Sequence, residues 1–216
     1  MNLKSFLAAA AFCVAAVLPA SAKDAVYKVA SPDGHLSATV VVGKTISYSV
    51  SRDEISLIAP SEISMTLADG VVFGKDDKVR KVRKSSVDQV LPAVAYKKSQ
   101  VRDNYNEITL VFKEFSLAFR AYDEGVAYRF VSALKNESKV LAEQADFNFA
   151  KDWDAYVPYV KQHTETLESQ YWNSFENTYS IHALTQWNKE RLAFMPVAVA
   201  AEGGLKVLLT DRKSVV

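Results

Sequence analysis

The chain has 216 residues, 49% apolar and 11% aromatic, which is enough to bury one sizeable core. Its formal charge of +1 gives no bulk field to draw in nucleic acid or an anionic membrane surface. Cys13 is the single cysteine and falls in a leader-like segment, so the rest of the chain is expected to have neither a disulfide nor a cysteine nucleophile.

Taken in chain order, the first element is an address. Lys4 supplies a positive start, residues 6–18 form an alanine-rich apolar stretch too short to span a bilayer stably, and Ala20-Ser21-Ala22 fits the small-x-small cleavage rule. Residues 1–22 therefore read as a signal peptide cleaved before Lys23. A periplasmic or secreted protein with no membrane span after cleavage is expected.

Period-2 alternation dominates the remainder. Leu36, Ala38, Val40 and Val42 fall on one face of the run 35–42, with Ser37 and Thr39 on the other. Ser31-Pro32-Asp33-Gly34 ahead of it is a turn, because proline presets φ and glycine accepts positive φ. Further strands are predicted over 45–50, 64–67, 87–95, 107–112, 116–122, 126–131, 145–149, 155–160, 195–200 and 206–210. Such short strands, separated by turns like Ala68-Asp69-Gly70 and Asp123-Glu124-Gly125, predict an all-β, mainly antiparallel sandwich as one domain over 23–210. Short helical or irregular segments are expected near its C-terminal end, at 164–176 and 180–189. The basic run KVRKVRK at 78–84 is interrupted by Val79 and Val82 and reads as a solvated strand or loop edge. There is no glycine-rich phosphate loop, no Gly-x-Ser-x-Gly elbow and no internal repeat.

The segment best suited to chemistry is QYWNSFENTY at 170–179, where four aromatic rings and three amides surround the carboxylate of Glu176. Rings stack on the apolar faces of sugars, while carboxylate and amide oxygens take hydroxyls or a hard cation. Composition alone leaves Glu176 open between a ligand and an exposed loop acid. Tyr171, Trp172, Phe175 and Tyr179 read first as packing that fixes the loop. Trp172 is the exception, since its indole offers both a stacking face and an edge donor. His163 and His182 flank the loop at no metal-ligand spacing and read as structural or exposed.

RAYDEGVAYRF at 120–130, together with SPDGHLSATV at 31–40, ISYSVSRD at 46–53 and FENTY at 175–179, resembles the N-terminal β-sandwich of glycoside hydrolase family 97. This is a Bacteroidota-type family of α-glucosidases and α-galactosidases. The resemblance implies a longer enzyme, in which a (β/α)8 barrel carries the catalytic carboxylates and acts on an oligosaccharide ending in α-linked glucose or galactose. No catalytic residue is therefore assigned within this chain. It also implies a calcium site shared with the barrel, to which Glu176 is carried over as a ligand, with Asn177 and Asn173 offering amide carbonyls. Trp172 and Asp211 are the expected substrate contacts; Arg120 and Arg129, on adjacent candidate strands around the Asp123-Glu124-Gly125 turn, are read as ion-pair partners at a domain interface, with contact to substrate as the alternative. The supply of tyrosine and tryptophan between Trp153 and Trp187 predicts an exposed apolar patch where the barrel docks. The alternative is a self-standing secreted sandwich that binds carbohydrate or serves structure.

After the strand-like LKVLLT at 205–210, the final DRKSVV equals the translation of a common sequencing-adapter start, GATCGGAAGAGCGTCGTG. Residues 211–216 are therefore expected to be a non-native tail at a truncation point. Asp211 stays ambiguous, because the native and adapter readings both give aspartate.

Overall fold

A computed structural model describes residues 24–94, 97–161, 166–172 and 176–211. The leader with Cys13, together with His163, Asn173, Phe175 and residues 212–216, lies outside the described residues. Among the described residues there is no α-helix, and no helix long and apolar enough to cross a membrane.

The protein is an all-β, antiparallel sandwich. Its first layer joins β1 (Ala25–Ala30), β2 (Leu36–Val42), β3 (Ile46–Arg52), β4 (Ile55–Leu67) and, later in the chain, β10 (Val140–Ala145), in the order β1-β2-β3-β4-β10. The short β5 (Val72–Phe73) also pairs with β4. The second layer is a meander of β6 (Lys81–Pro92), β7 (Gln100–Val111), β8 (Phe115–Tyr122) and β9 (Gly125–Ser132). A third, smaller sheet runs β12 (Ser180–Ala183), β11 (Asp154–Val157), β13 (Val197–Ala200), β14 (Lys206–Leu209).

Alternation becomes burial wherever a strand has one wet face. β2 buries Leu36, Ala38, Val40 and Val42 in strict alternation, and β3 answers with Ile46, Tyr48 and Val50. Against them β8 places Leu117, Phe119 and Ala121, and β7 places Ile108 and Leu110. Aromatic rings carry much of this core: Tyr48 lies 5.8 Å from Phe119, and Phe115 stacks on Phe73 at 4.6 Å and on Phe112 at 4.4 Å. A second cluster of Ala155, Val157, Tyr159, Val197 and Val199 sits under the small sheet. Phe149, Trp153 and Val207 pack against both clusters and join them.

The turn at Ser31 works as its residues dictate. Gly34 takes φ +81°, the Ser31 hydroxyl donates to Asp33 at 2.5 Å, and the Leu36 amide donates to Ser31 Oγ at 3.0 Å. This turn meets the β8–β9 hairpin, since Asp123 Oδ1 accepts from the Asp33 amide at 2.9 Å and Asp123 O accepts from Arg52 Nη1 at 3.2 Å. Three separated motifs, SPDG, ISYSVSRD and RAYDEGVAYRF, thus converge on one corner.

Two regions differ from the sequence reading. The strand expected over 145–149 lies earlier, at β10, and residues 146–150 run beside β4 through backbone bonds such as Ala59 N to Asn148 O at 2.7 Å. Phe147 and Phe149 face the core from this irregular segment, which imitates the apolar rhythm of a strand, whereas β10 is exposed throughout and shows no rhythm. Residues 180–183 form β12, followed by a single 3-10 turn at Leu184–Gln186. The basic run enters β6, whose residues are exposed at nearly every position.

Candidate functional site

Of QYWNSFENTY, residues 170–172 and 176–179 are described, and the latter lead into the edge strand β12. The first residue of the loop is an anchor, because Gln170 is 1% exposed, donates through Nε2 to the Glu190 carbonyl at 2.8 Å, and accepts from the Leu192 amide at 2.9 Å. Asn177 is a second anchor. Its Nδ2 donates to the Tyr159 carbonyl at 3.1 Å and its Oδ1 accepts from the Thr178 amide at 3.0 Å. Amides that use both donor and acceptor, buried at Gln170 and exposed at Asn177, hold a loop without any regular ladder.

Tyr159 anchors the floor below. It is 4% exposed; its hydroxyl accepts from the Asn188 amide at 2.8 Å and lies 3.0 Å from His182 Nε2. His182 Nδ1 is 3.0 Å from the Ala183 carbonyl, which accepts a hydrogen bond from Nδ1–H and leaves Nε2 to accept from Tyr159. Trp187 meets the Tyr159 ring edge-on at 5.9 Å, and the Arg191 guanidinium lies 5.0 Å from its centroid. His182 is thus a structural histidine, as expected.

The three described aromatic side chains of the loop turn outward instead of fixing it. Trp172 is 90% exposed and Tyr171 72%, with Tyr179 also exposed, and among the described residues of the loop Gln170 and Asn177 make the anchoring contacts. Glu176 is exposed, and no described residue forms a hydrogen bond or ion pair with its carboxylate. On the open face of the small sheet, register aligns Ile181, Tyr156, Ala198 and Leu208 in one cross-strand row. Ile181 and Leu208 are each 61% exposed, which extends the apolar patch beyond the loop.

Asp211 follows β14, at the opposite edge of this sheet from β12. Three strand spacings, about 14 Å in all, separate those edges. The structure therefore ties Asn177, the chain neighbour of Glu176, to Tyr159, and leaves Asp211 at the opposite edge of the sheet. Among the described residues no group of three or more His, Cys, Asp or Glu could hold a metal ion.

Arg120 has a partner within its own sheet. Its Nε donates to Glu107 Oε2 at 2.7 Å, its guanidinium lies 4.2 Å over the Tyr105 ring, and Thr109 Oγ1 donates to Glu107 Oε1 at 2.8 Å. Burial opposes the charge on Glu107, but the hydrogen bonds from Arg120 and Thr109 outweigh it and hold the carboxyl below its ordinary value. Arg120 therefore braces β7 against β8, which single-sequence spacing could not reveal because Glu107 and Arg120 meet only through strand register.

The chain belongs to the glycosyl-hydrolase 97 N-terminal family, whose profile matches residues 29–214. It is 41% identical over 187 residues to a retaining alpha-galactosidase of Bacteroides thetaiotaomicron, covering 86% of this chain and 28% of that protein. Among solved structures, a glycoside hydrolase family 97 enzyme of Pseudoalteromonas sp. strain K8, in complex with panose, superposes with a TM-score of 0.68 at 24% identity. That match covers 83% of this chain and 27% of the other. A beta-arabinopyranosidase superposes with a TM-score of 0.72 at 22% identity, over 84% of this chain and 31% of the other. Likeness at these identities shows the shared fold. The chain spans little more than a quarter of the length of the galactosidase it matches.

Proposed function

We propose that this chain is the N-terminal domain of an extracytoplasmic α-glycosidase that removes terminal α-linked galactose or glucose from oligosaccharides. The observation that carries the reading is the family match over 29–214 in a chain that spans 28% of a retaining alpha-galactosidase. The domain's part is to brace a catalytic domain and lend it the 170–179 loop. Trp172, exposed on that loop, offers an indole face to a sugar ring. Asp211, at the other edge of the small sheet, is assigned a second, more distant polar contact.

For calcium, the donor set here is partial. Calcium takes six to eight oxygens, while this loop offers the unengaged carboxylate of Glu176 and one remaining lone pair on Asn177 Oδ1, whose other lone pair accepts from Thr178. Such a set suits one contributed ligand in a site completed by another domain. A bound calcium would supply electrostatic polarisation of a substrate oxygen. Glu176 would hold negative charge toward it, and Asn177, tied to Tyr159, would fix the backbone that carries Glu176.

The test is the full-length protein assayed on 4-nitrophenyl α-galactoside and α-glucoside. Turnover of one of them, lost on chelation and restored by calcium, is expected. Glu176→Gln should lower turnover by about tenfold or more, with partial recovery at high calcium, while Glu137→Gln, at an exposed site, should not. Unchanged turnover and calcium dependence in Glu176→Gln would refute the ligand role. A self-standing binding sandwich would instead show no hydrolysis by any longer product of the gene.

A further inference from the structure

The second layer of the sandwich stops short of the first. Backbones of the two layers come close where β1 meets β7 and β8 and where β2 meets β8 and β9, while the ring of Tyr48 reaches β8 and β9 from β3 and that of Phe73 reaches β8 from β5. β10, at the far side of the first layer from β1, is exposed at every position, with Leu141 at 61%. β9 shows the same deficit. Val126, Tyr128 and Phe130 on its inner face are only partly buried, while their cross-strand partners Ala121, Phe119 and Leu117 on β8 are 0% exposed.

Register identifies the open backbone groups. The Ala133 amide donates to the Glu114 carbonyl, which places Val131, Arg129 and Ala127 in the hydrogen-bonded pairs with β8. The N–H and C=O groups of Val126, Tyr128 and Phe130 therefore point away from β8, and no backbone group of the described residues pairs with them.

The two edges of this layer are built differently. β6 carries Lys81, Arg83, Lys84 and Asp88 and ends on Pro92, features that keep another strand from pairing. β9 carries one charge, Arg129. The described chain ends within electrostatic reach of this side of the sandwich: after burial, the charge of Asp211 is the next cause raising the Glu143 carboxyl on β10, and Asp211 also bears on Tyr128 of β9. Relatives continue well past this length.

We infer that the open edge of β9 receives at least one further strand, supplied by the polypeptide that follows Thr210 in the longer protein, which pairs with Val126, Tyr128 and Phe130 and extends the second layer over β10. The inference rests on the reading of this chain as the N-terminal part of a longer glycosidase. Main-chain pairing would supply the affinity, and the half-buried Tyr128 and Phe130 would supply the apolar floor.

Amide hydrogen exchange resolved to single residues tests it, on the 216-residue chain and on the full-length protein. In the short chain, the amides of Val126, Tyr128 and Phe130 should exchange at least about a hundredfold faster than those of Ala127 and Arg129. In the full-length protein that difference should vanish. A full-length protein that hydrolyses glycosides yet leaves these amides fast would overturn the inference and leave the proposed function standing. Protection in the short chain that rises with protein concentration would also overturn it, by showing a second copy on the edge. Protection in a full-length protein without glycosidase activity would support the added strand and sink the functional reading alone.

Discussion

Phe119 and Trp172 mark two regimes in one chain. Phe119 is 0% exposed, between Tyr48 and Tyr128, and its position follows from alternation along β8. Trp172 is 90% exposed on a loop held by side-chain amides, so its placement owes nothing to a hydrophobic driving force of its own. The difference teaches that the aromatic residues of this protein have two uses. Those in the sandwich and under the small sheet stabilise the fold, and Tyr171, Trp172 and Tyr179 face solvent, open to a partner surface.

The comparison breaks first at its buried pole. Phe119→Ala should cost about 3–5 kcal/mol and leave little folded protein, checked by chemical denaturation. If the loss were under about 1 kcal/mol, the tight packing described around Tyr48 would be wrong. Tyr159→Phe comes next, because it removes a buried hydroxyl serving both Asn188 and His182 while keeping the ring. A loss of about 1–3 kcal/mol is expected, with faster amide exchange at Asn188.

Glu107→Gln sharpens the middle of the scale. The Glu107–Arg120 pair is partly exposed, with side chains at 16% and 31%, so about 1–2 kcal/mol at pH 7 is expected from loss of a charged hydrogen bond. The sign of its pH dependence is fixed by the lowered carboxyl. The folded state binds fewer protons than the unfolded state around the ordinary value of 4.5, so the stabilisation is fully present above that pH. It fades as pH falls through the lower folded-state pKa. The gap between wild type and Glu107→Gln should close below about pH 4.5, read from denaturation midpoints across pH; a gap that widened in acid would reverse the assignment.

Trp172→Ala should have the smallest effect on stability, within about 0.5 kcal/mol. The same change should weaken binding of a hydrophobic dye to the 216-residue chain, as expected for an exposed apolar patch. Stability that dropped by several kcal/mol would place Trp172 in the packing regime after all.

Much of the core was legible from the sequence. The alternation in LSATVVV named the inward face of β2 residue by residue, and Gly34 and the Asp123-Glu124-Gly125 turn located two reversals. Legibility failed where side chains do not alternate. β10 has no buried face to betray it, while Phe147 and Phe149 show a strand's rhythm on an irregular segment that merely lies against β4. In the loop, sequence composition singled out ten residues but did not show their division of labour. Gln170 and Asn177 turned out to be anchors, and Tyr171 and Trp172 face solvent.

The sequence by itself determined the class of fold, the inward faces of the central strands and the segment richest in ligand-type groups, because each of these is written in local periodicity and composition. Tertiary structure alone decided what meets across register and between layers. It paired Glu107 with Arg120, joined SPDG to the β8–β9 hairpin through Asp123, and left β9 as an open edge while β6 is guarded by charge. Those contacts join residues 13 to 90 positions apart. Strand order and register set them, and local sequence carries no record of either.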